Sequence, residues 1–307
     1  MQRNFSLLAR SSGNIRVMST ALNQAGIKAV SGLAVKPIAG ALGAEIAGVD
    51  ISKPLHAASR AALIKALNDH QVIFIRGIAM TPDQHLAFSR IFGQPLRIPH
   101  APNLEGYPDI QTLERKPGDA TLVVGASWHC DSTYLATPPG TITMRAVDVP
   151  EVGGDTLFAN LYLAFEALSP KLQKVLSGLK AVHSAAKIFG KNADQSRFKM
   201  NKMNPEEGDR EVIHPVVRTH PATGRRSLFV NSTYTRRFDG MTEEESQPLL
   251  KFLYEHAARP EFTCRVRWHN DTTVIWDNRC TYHHAVPDYA GKYRYLERVT
   301  LAGEAPA

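Results

Sequence analysis

The segment Trp128-His129-Cys130-Asp131 holds the first residues able to do chemistry. Side chains alternate faces along an extended strand, so His129 and Asp131 point one way and Cys130 the other. An imidazole and a carboxylate two residues apart can take adjacent positions on one metal ion. A second imidazole completes a facial triad and leaves three positions open. Nitrogen and oxygen ligation with open positions suits Fe(II), which can then hold an organic chelator and dioxygen together. The chain has twelve histidines, and those besides His129 compete for the third place, among them His183, His214, His220, His256 and His269. Each also fits a hydrogen-bonded core position, and spacing alone does not choose among them.

The stretch WDNRCTYHHAVPDYAGKYRYLERVTLAG adds His283 and His284, just after a strand and turn. Arg294 and Arg298 follow four residues apart and share one face of an extended strand. Two guanidiniums on a metal-facing side make a site for two anionic groups, since arginine binds carboxylate or sulfonate with two prongs. Solvated surface arginines are the plainer explanation of the same spacing.

These residues need rigid elements to hold them. Strands are predicted at 71–77, 141–149, 155–160, 226–231, 262–268, 272–276 and 295–301, with a turn at Gly153-Gly154. Helices are predicted at 59–70, after the Thr81-Pro82-Asp83-Gln84 capping box, and at 169–179 behind Ser169-Pro170. Thr242 and Glu245 look like another capping box. Pro248 would then lie inside the helix, so its regular part is expected from about Gln247 to Ala258. The polar stretches 97–121 and 190–211 read as long surface loops of the kind that cover active sites.

The chain has 307 residues, 43% apolar and 21% charged, which excludes a disordered, collagenous or coiled-coil chain. No composition break or repeat divides it. One β-rich domain with added helices, a barrel or sandwich, is expected. No apolar run is long enough to cross a membrane. The net charge of +7 suits an anionic partner, but the longest basic runs are pairs, so nucleic acid is not expected. Three cysteines without a CxxC favour a reducing compartment. A cytoplasmic protein is therefore expected. The basic, acid-free residues 1–17 offer an organelle-targeting segment as the weaker alternative.

The blocks WHCDST, PGTITMRAVDVPEVGGDTLF, HPVVRTHPATGRRSLFVN and WDNRCTYHHAVPDYAGKYRYLERVTLAG, in this order, resemble the taurine and 2,4-dichlorophenoxyacetate dioxygenase family. WHCDSTYL and CTYHHAVPDYAGKYRYL look closer to its phenoxypropionate-cleaving branch. The resemblance runs from about Leu33 to Gly303. It implies a β-rich α+β fold, a double-stranded β-helix (a cupin-like jelly roll) with added helices. Residues 1–31 would be a flexible extension and 32–303 a single dioxygenase domain. It also implies Fe(II), 2-oxoglutarate as cosubstrate and dioxygen, with succinate and CO2 as co-products of a C–H hydroxylation.

By the same resemblance, His129, Asp131 and His283 would bind the metal, with His284 as the neighbour. Thr156 and Arg294 would hold the distal carboxylate of 2-oxoglutarate. Arg298 would sit near its metal-bound end and the substrate anion. Trp268 matches an aromatic residue near the iron. His100, Phe189 and Tyr234 would contact the substrate. It would be a small anion such as an alkylsulfonate like taurine, a sulfate ester or an aryloxyalkanoate. Gly125 stands where taurine-type members carry asparagine. Ile98 falls at the sulfonate-contacting histidine, with His100 two residues later. These departures weigh against taurine itself. A zinc hydrolase or a non-catalytic jelly-roll binding protein is the competing reading, but neither needs a Thr156–Arg294 pair. A homo-oligomer is left open.

Overall fold

A computed structural model describes residues 32–307. The expected flexible extension and targeting-like segment lie outside the described residues. Strands and helices are numbered along the chain. The main sheet runs β1 (Ala34–Pro37), β2 (Ala44–Ala47), β3 (Val72–Ile75), β14 (Thr273–Asp277), β6 (Thr141–Asp148), β16 (Arg294–Thr300), β5 (Tyr107–Arg115) and β4 (Asn103–Leu104). Only β2 and β3 run parallel within it. A second sheet orders β13 (Thr263–Val266), β7 (Thr156–Asn160) and β15 (Thr281–Ala285). A third orders β12 (Thr235–Phe238), β8 (Lys180–Ser184) and β9 (Glu211–Pro215), beside the hairpin β10 (Val217–Thr219) and β11 (Arg226–Leu228).

Apolar alternation decides how these sheets stack. Val72, Phe74, Ile142, Val274, Trp276 and Leu296 of the main sheet meet Phe158 and Val266 of the second in one core. Ile73, Ile75 and Ile275 point to the other face and pack on Leu63 and Leu67 of α1 (Ala57–His70). Both faces of β3 are thus covered, which explains its unbroken apolar run. The result is a β-rich α+β fold.

Local signals place most helix ends. In α2 (Pro82–Ser89) the Thr81 hydroxyl accepts from the Gln84 N–H, and Gln84 Oε1 accepts from the Thr81 N–H. Asn160 caps α3 (Leu161–Glu166). Ser169 caps α4 (Pro170–Ser177) with Pro170 at the first position. Short α5 (Ala186–Phe189) and α6 (Pro205–Asp209) follow.

Four expectations need correction. The last long helix, α7 (Glu243–Ala257), starts four residues before Gln247 and contains Pro248. Its start is held by the Thr242–Glu245 box and by Ser246, whose hydroxyl donates to the Thr242 carbonyl. These bonds outweigh the one backbone bond Pro248 removes. Residues 97–121 are not all loop: β4 and nine-residue β5 lie there, and β5 pairs with β16 from Arg294 to Arg298. Its inward Gln111 breaks the apolar alternation that marks a strand. Residues 190–211 fold around α6, tied down by Ser184 Oγ on the Gly208 carbonyl and Gln195 on the Phe189 and Met203 carbonyls. The strand expected at 226–231 ends at Leu228. Among the described residues no helix is long and apolar enough to cross a membrane.

Pro248 is exposed, and alanine there would restore an N–H for the Glu244 carbonyl. Pro248→Ala should stabilise the protein by about 1–2 kcal/mol, the helix gain less the extra unfolded-chain entropy. A chemical denaturation curve with an unshifted or lower midpoint would contradict this account of α7.

Candidate active site

The site is built on one backbone contact. His129 sits in no strand; it makes a single antiparallel bridge with His283 of β15. Each residue's N–H donates to the other's carbonyl, at 3.1 and 2.9 Å. The two imidazoles are thereby brought to 4.1 Å between ring centroids. Asp131 follows two residues later, and alternation turns its carboxylate to the same side. Its oxygens lie 3.6 Å from His129 Nε2 and 3.7 Å from His283 Nε2. All three side chains are buried, and their donor atoms fall within 4.8 Å of one another. Cys130 points away, its thiol on the Thr281 carbonyl. His284 faces the opposite side of β15 and packs on Trp128.

Protonation suits a cation. His129 Nδ1 lies 2.7 Å from the Ser127 carbonyl, which only accepts, so Nδ1 carries a proton and Nε2 is the nitrogen turned to the cluster. Burial pushes the His283 imidazole down to about 3, with His129 adding to the effect, so His283 is neutral. Burial opposes ionisation of Asp131, but Arg298, then His283 and His129, outweigh it and hold the carboxyl well below the usual range. Two imidazoles and one carboxylate, open to a cavity, fit Fe(II).

A second close group, His220, Asp277 and Cys280, has a different explanation. His220 Nδ1 accepts the N–H groups of Ala222 and Thr223, so its Nε2 carries the proton and donates to Asp277 at 2.9 Å. Arg279 pairs with the same carboxylate through two nitrogens, at 2.8 and 2.6 Å. The lone pairs a metal would need are taken. This hub fixes the turn that carries Asn278. The Asn278 side chain accepts the Asp131 N–H at 2.7 Å and donates to the Asp131 and Pro139 carbonyls. Sequence reading passed over Asn278, although it is the asparagine of the quoted WDN.

Thr156, Arg294, Arg298, His100, Phe189 and Tyr234 line the same cavity as His129, Asp131 and His283. Thr156 opens β7, and its hydroxyl accepts from the Trp268 indole at 3.0 Å. Trp268 thus stands behind Thr156; the ring beside the histidines is Trp276, 5.1 Å from His283. Arg294 is almost fully buried. Its Nη2 donates to the Gly154 carbonyl, and its Nε has no partner among the described residues. Burial lowers the guanidinium's affinity for its proton. The nearby carboxylates Asp155 and Asp288 both face Arg265. A buried cation left in this state fits an anionic ligand. Gly153 and Gly154 have φ of +93° and +74°, and a Cβ on Gly154 would stand 2.9 Å from Arg294 Nε. The turn therefore needs glycine for both conformation and space.

The far end of the cavity is mostly apolar, with Ile98, Ile188, Phe189 and Met200 in its wall. His100 Nε2 meets the Tyr134 hydroxyl at 3.2 Å. Burial, then Arg298, pushes its imidazole down to about 4. Burial raises the Tyr234 hydroxyl well above its ordinary range. Ile98 and His100 both reach the wall. Gly125 has φ +80°, and a Cβ there would meet His129 Cε1 at 3.3 Å, so an asparagine would press on that ring.

The chain matches, over residues 34–300, the family described as taurine catabolism dioxygenase TauD, TfdA family. It is 37% identical to an alpha-ketoglutarate-dependent sulfate ester dioxygenase of Pseudomonas putida, over 89% of this chain and 91% of the relative. It is 35% identical to an alkylsulfatase of Acinetobacter baylyi, over 89% and 86%. Its fold superimposes on a taurine dioxygenase from Burkholderia xenovorans with a TM-score of 0.77, at 36% identity over 90% and 91% of the two chains. The chain belongs to the TauD/TfdA family. It is an Fe(II)- and 2-oxoglutarate-dependent dioxygenase.

Asn278→Ala would leave the buried Asp131 N–H without an acceptor. The expected cost is about 1–3 kcal/mol of stability, together with weaker metal binding, since Asp131 loses its backbone restraint. Thermal melting and a metal titration of the same variant would check both, and wild-type values in the two would remove Asn278 from the account.

Proposed function

We propose that this dioxygenase oxidises the carbon next to the ester oxygen of a short or medium alkyl sulfate, releasing an aldehyde and sulfate. The observation that carries this is the charge pattern of the cavity wall. Arg298 and His100 stand near an otherwise apolar and aromatic space, and Asp131 is the one acid among the described residues lining it. That acid is committed to the His129–His283 cluster. An anion with an uncharged body fits such a wall, whereas the ammonium of taurine would find no free carboxylate. Two relatives carry names for sulfate ester or alkyl sulfate chemistry. The fold class, the site and these names support the reading together.

In this reading His129, Asp131 and His283 hold Fe(II), and Thr156 and Arg294 hold the distal carboxylate of 2-oxoglutarate. Bound together, Fe(II) and 2-oxoglutarate supply oxidative decarboxylation of the cosubstrate and hydroxylation of a C–H bond. The chain's own part is position and charge. Arg298 pairs with the sulfate. His100 stays neutral and adds a hydrogen bond. Phe189 and Tyr234 pack on the alkyl body and exclude water. Hydroxylation at the carbon bearing the sulfate gives an adduct that collapses to aldehyde and sulfate, with the hydroxyl proton leaving. Residues 32–303 act as one domain whose facing sheets form a jelly roll, and the enzyme works in the cytoplasm.

Succinate formed with Fe(II), ascorbate and 2-oxoglutarate should rise strongly with an alkyl sulfate such as hexyl sulfate, with sulfate and aldehyde in equal amounts. Stimulation by taurine or a phenoxypropionate alone would overturn the substrate assignment. Gly154→Ala should raise the KM for 2-oxoglutarate about tenfold or more, because its Cβ displaces Arg294, and should move the alkyl sulfate KM far less. Equal change in both would detach Arg294 from the cosubstrate.

A further inference from the structure

Arg298 is shared between two neighbours whose claims conflict. Its Nη1 lies 3.3 and 3.5 Å from the Asp131 carboxylate oxygens. Its Nε donates to Gln111 Oε1 at 2.7 Å. Gln111 faces Arg298 directly across the β5–β16 ladder and is 2% exposed. The Gln111 amide nitrogen donates in turn to Thr300 Oγ1 at 3.3 Å. The other amide orientation would set an NH2 group against the guanidinium N–H, so the chemistry fixes it.

A guanidinium and a carboxylate left to themselves close into a two-pronged pair with short contacts. Here the contact is made through one nitrogen and is long. With Nε occupied, the guanidinium cannot turn its Nε–Nη2 edge onto Asp131, and swinging its Nη1–Nη2 edge squarely onto the carboxylate would pull Nε off Gln111. We infer that Gln111 is a positioning residue that holds Arg298 off Asp131. It leaves the carboxylate free for the metal and leaves guanidinium N–H groups for the substrate anion. The anion half of this rests on the proposed role of Arg298; the metal half stands on the Asp131 contact alone.

Two variants separate the halves. Gln111→Leu removes the acceptor at similar volume, and Arg298 closes on Asp131. Cobalt(II), titrated into the metal-free protein and followed by its visible absorption, should bind about tenfold more weakly, and the KM for the anionic substrate should rise by a similar factor. Gln111→Glu keeps the acceptor but supplies a charge to Arg298. Cobalt(II) affinity should stay within about twofold of wild type, while the substrate KM rises about tenfold. A merely structural Gln111 would not give that split. Wild-type cobalt(II) affinity in Gln111→Leu, or equal loss of cobalt(II) affinity in both variants, would overturn the inference. A wild-type substrate KM in a Gln111→Glu protein that binds cobalt(II) normally would overturn its anion half. If no alkyl sulfate is turned over by the wild type, the cobalt(II) titrations still decide the metal half, and only the substrate reading fails.

Discussion

Everything at this site depends on the two-way backbone bridge between His129 and His283. It joins residues about 150 positions apart with two hydrogen bonds. Register has period two, so a one-residue slip of β15 would turn His284 inward and His283 outward. The register is held from several sides. β15 pairs with β7 over five residues, which also sets Thr156 opposite Ala285. The Ala285 N–H donates to the Gly125 carbonyl, just past the bridge. Asn278 then grips Asp131 from the β14–β15 turn. The metal donors are therefore placed by main-chain geometry, and the side chains need only ordinary rotamers to meet. Placing donors on rigid backbone in this way keeps their ordering cost low when a ligand arrives.

Much of this was legible in the sequence, and the limits have physical reasons. Strands with both faces buried, such as β3 and β14, announce themselves as apolar runs. Capping boxes at Thr81 and Thr242 mark helix starts because the chemistry is local. The one error there came from weighing Pro248 above three cap bonds. The strand β5 was hidden because the site needs a polar Gln111 on its inner face. Asn278 was hidden for a related reason: its partners are backbone groups of residues 131 and 139, which no spacing rule connects to it. Trp268 and Trp276 both lie near the candidate cosubstrate and metal residues. Strand alternation alone does not tell which ring reaches a histidine and which reaches a threonine behind it. Spacing alone does not separate His283 from His284; the family resemblance chose His283, and the register of β15 supplies the physical reason.

The charge balance of the cavity limits what can complete it. Two guanidiniums, Arg294, which is buried, and Arg298, which is partly buried, line the cavity with a single committed carboxylate, Asp131. An imidazole that holds a metal offers it a lone pair and so adds no charge. Such an arrangement is costly on its own, because the buried Arg294 has lost water that the protein only partly replaces. A divalent metal makes the imbalance larger: the site then carries three net positive charges. The dianion 2-oxoglutarate removes two of them. One remains, next to Arg298 and beside an apolar wall. A sulfate monoester or a sulfonate carries one negative charge at neutral pH and closes the balance. A phosphate monoester carries nearly two and would bury an excess negative charge. An uncharged ester would leave the guanidinium unmatched. A zwitterion with an ammonium group would restore the positive charge that its acid group had cancelled. Under the proposed function, the same electrostatics that favour Fe(II) and 2-oxoglutarate would favour a monoanion as the third component.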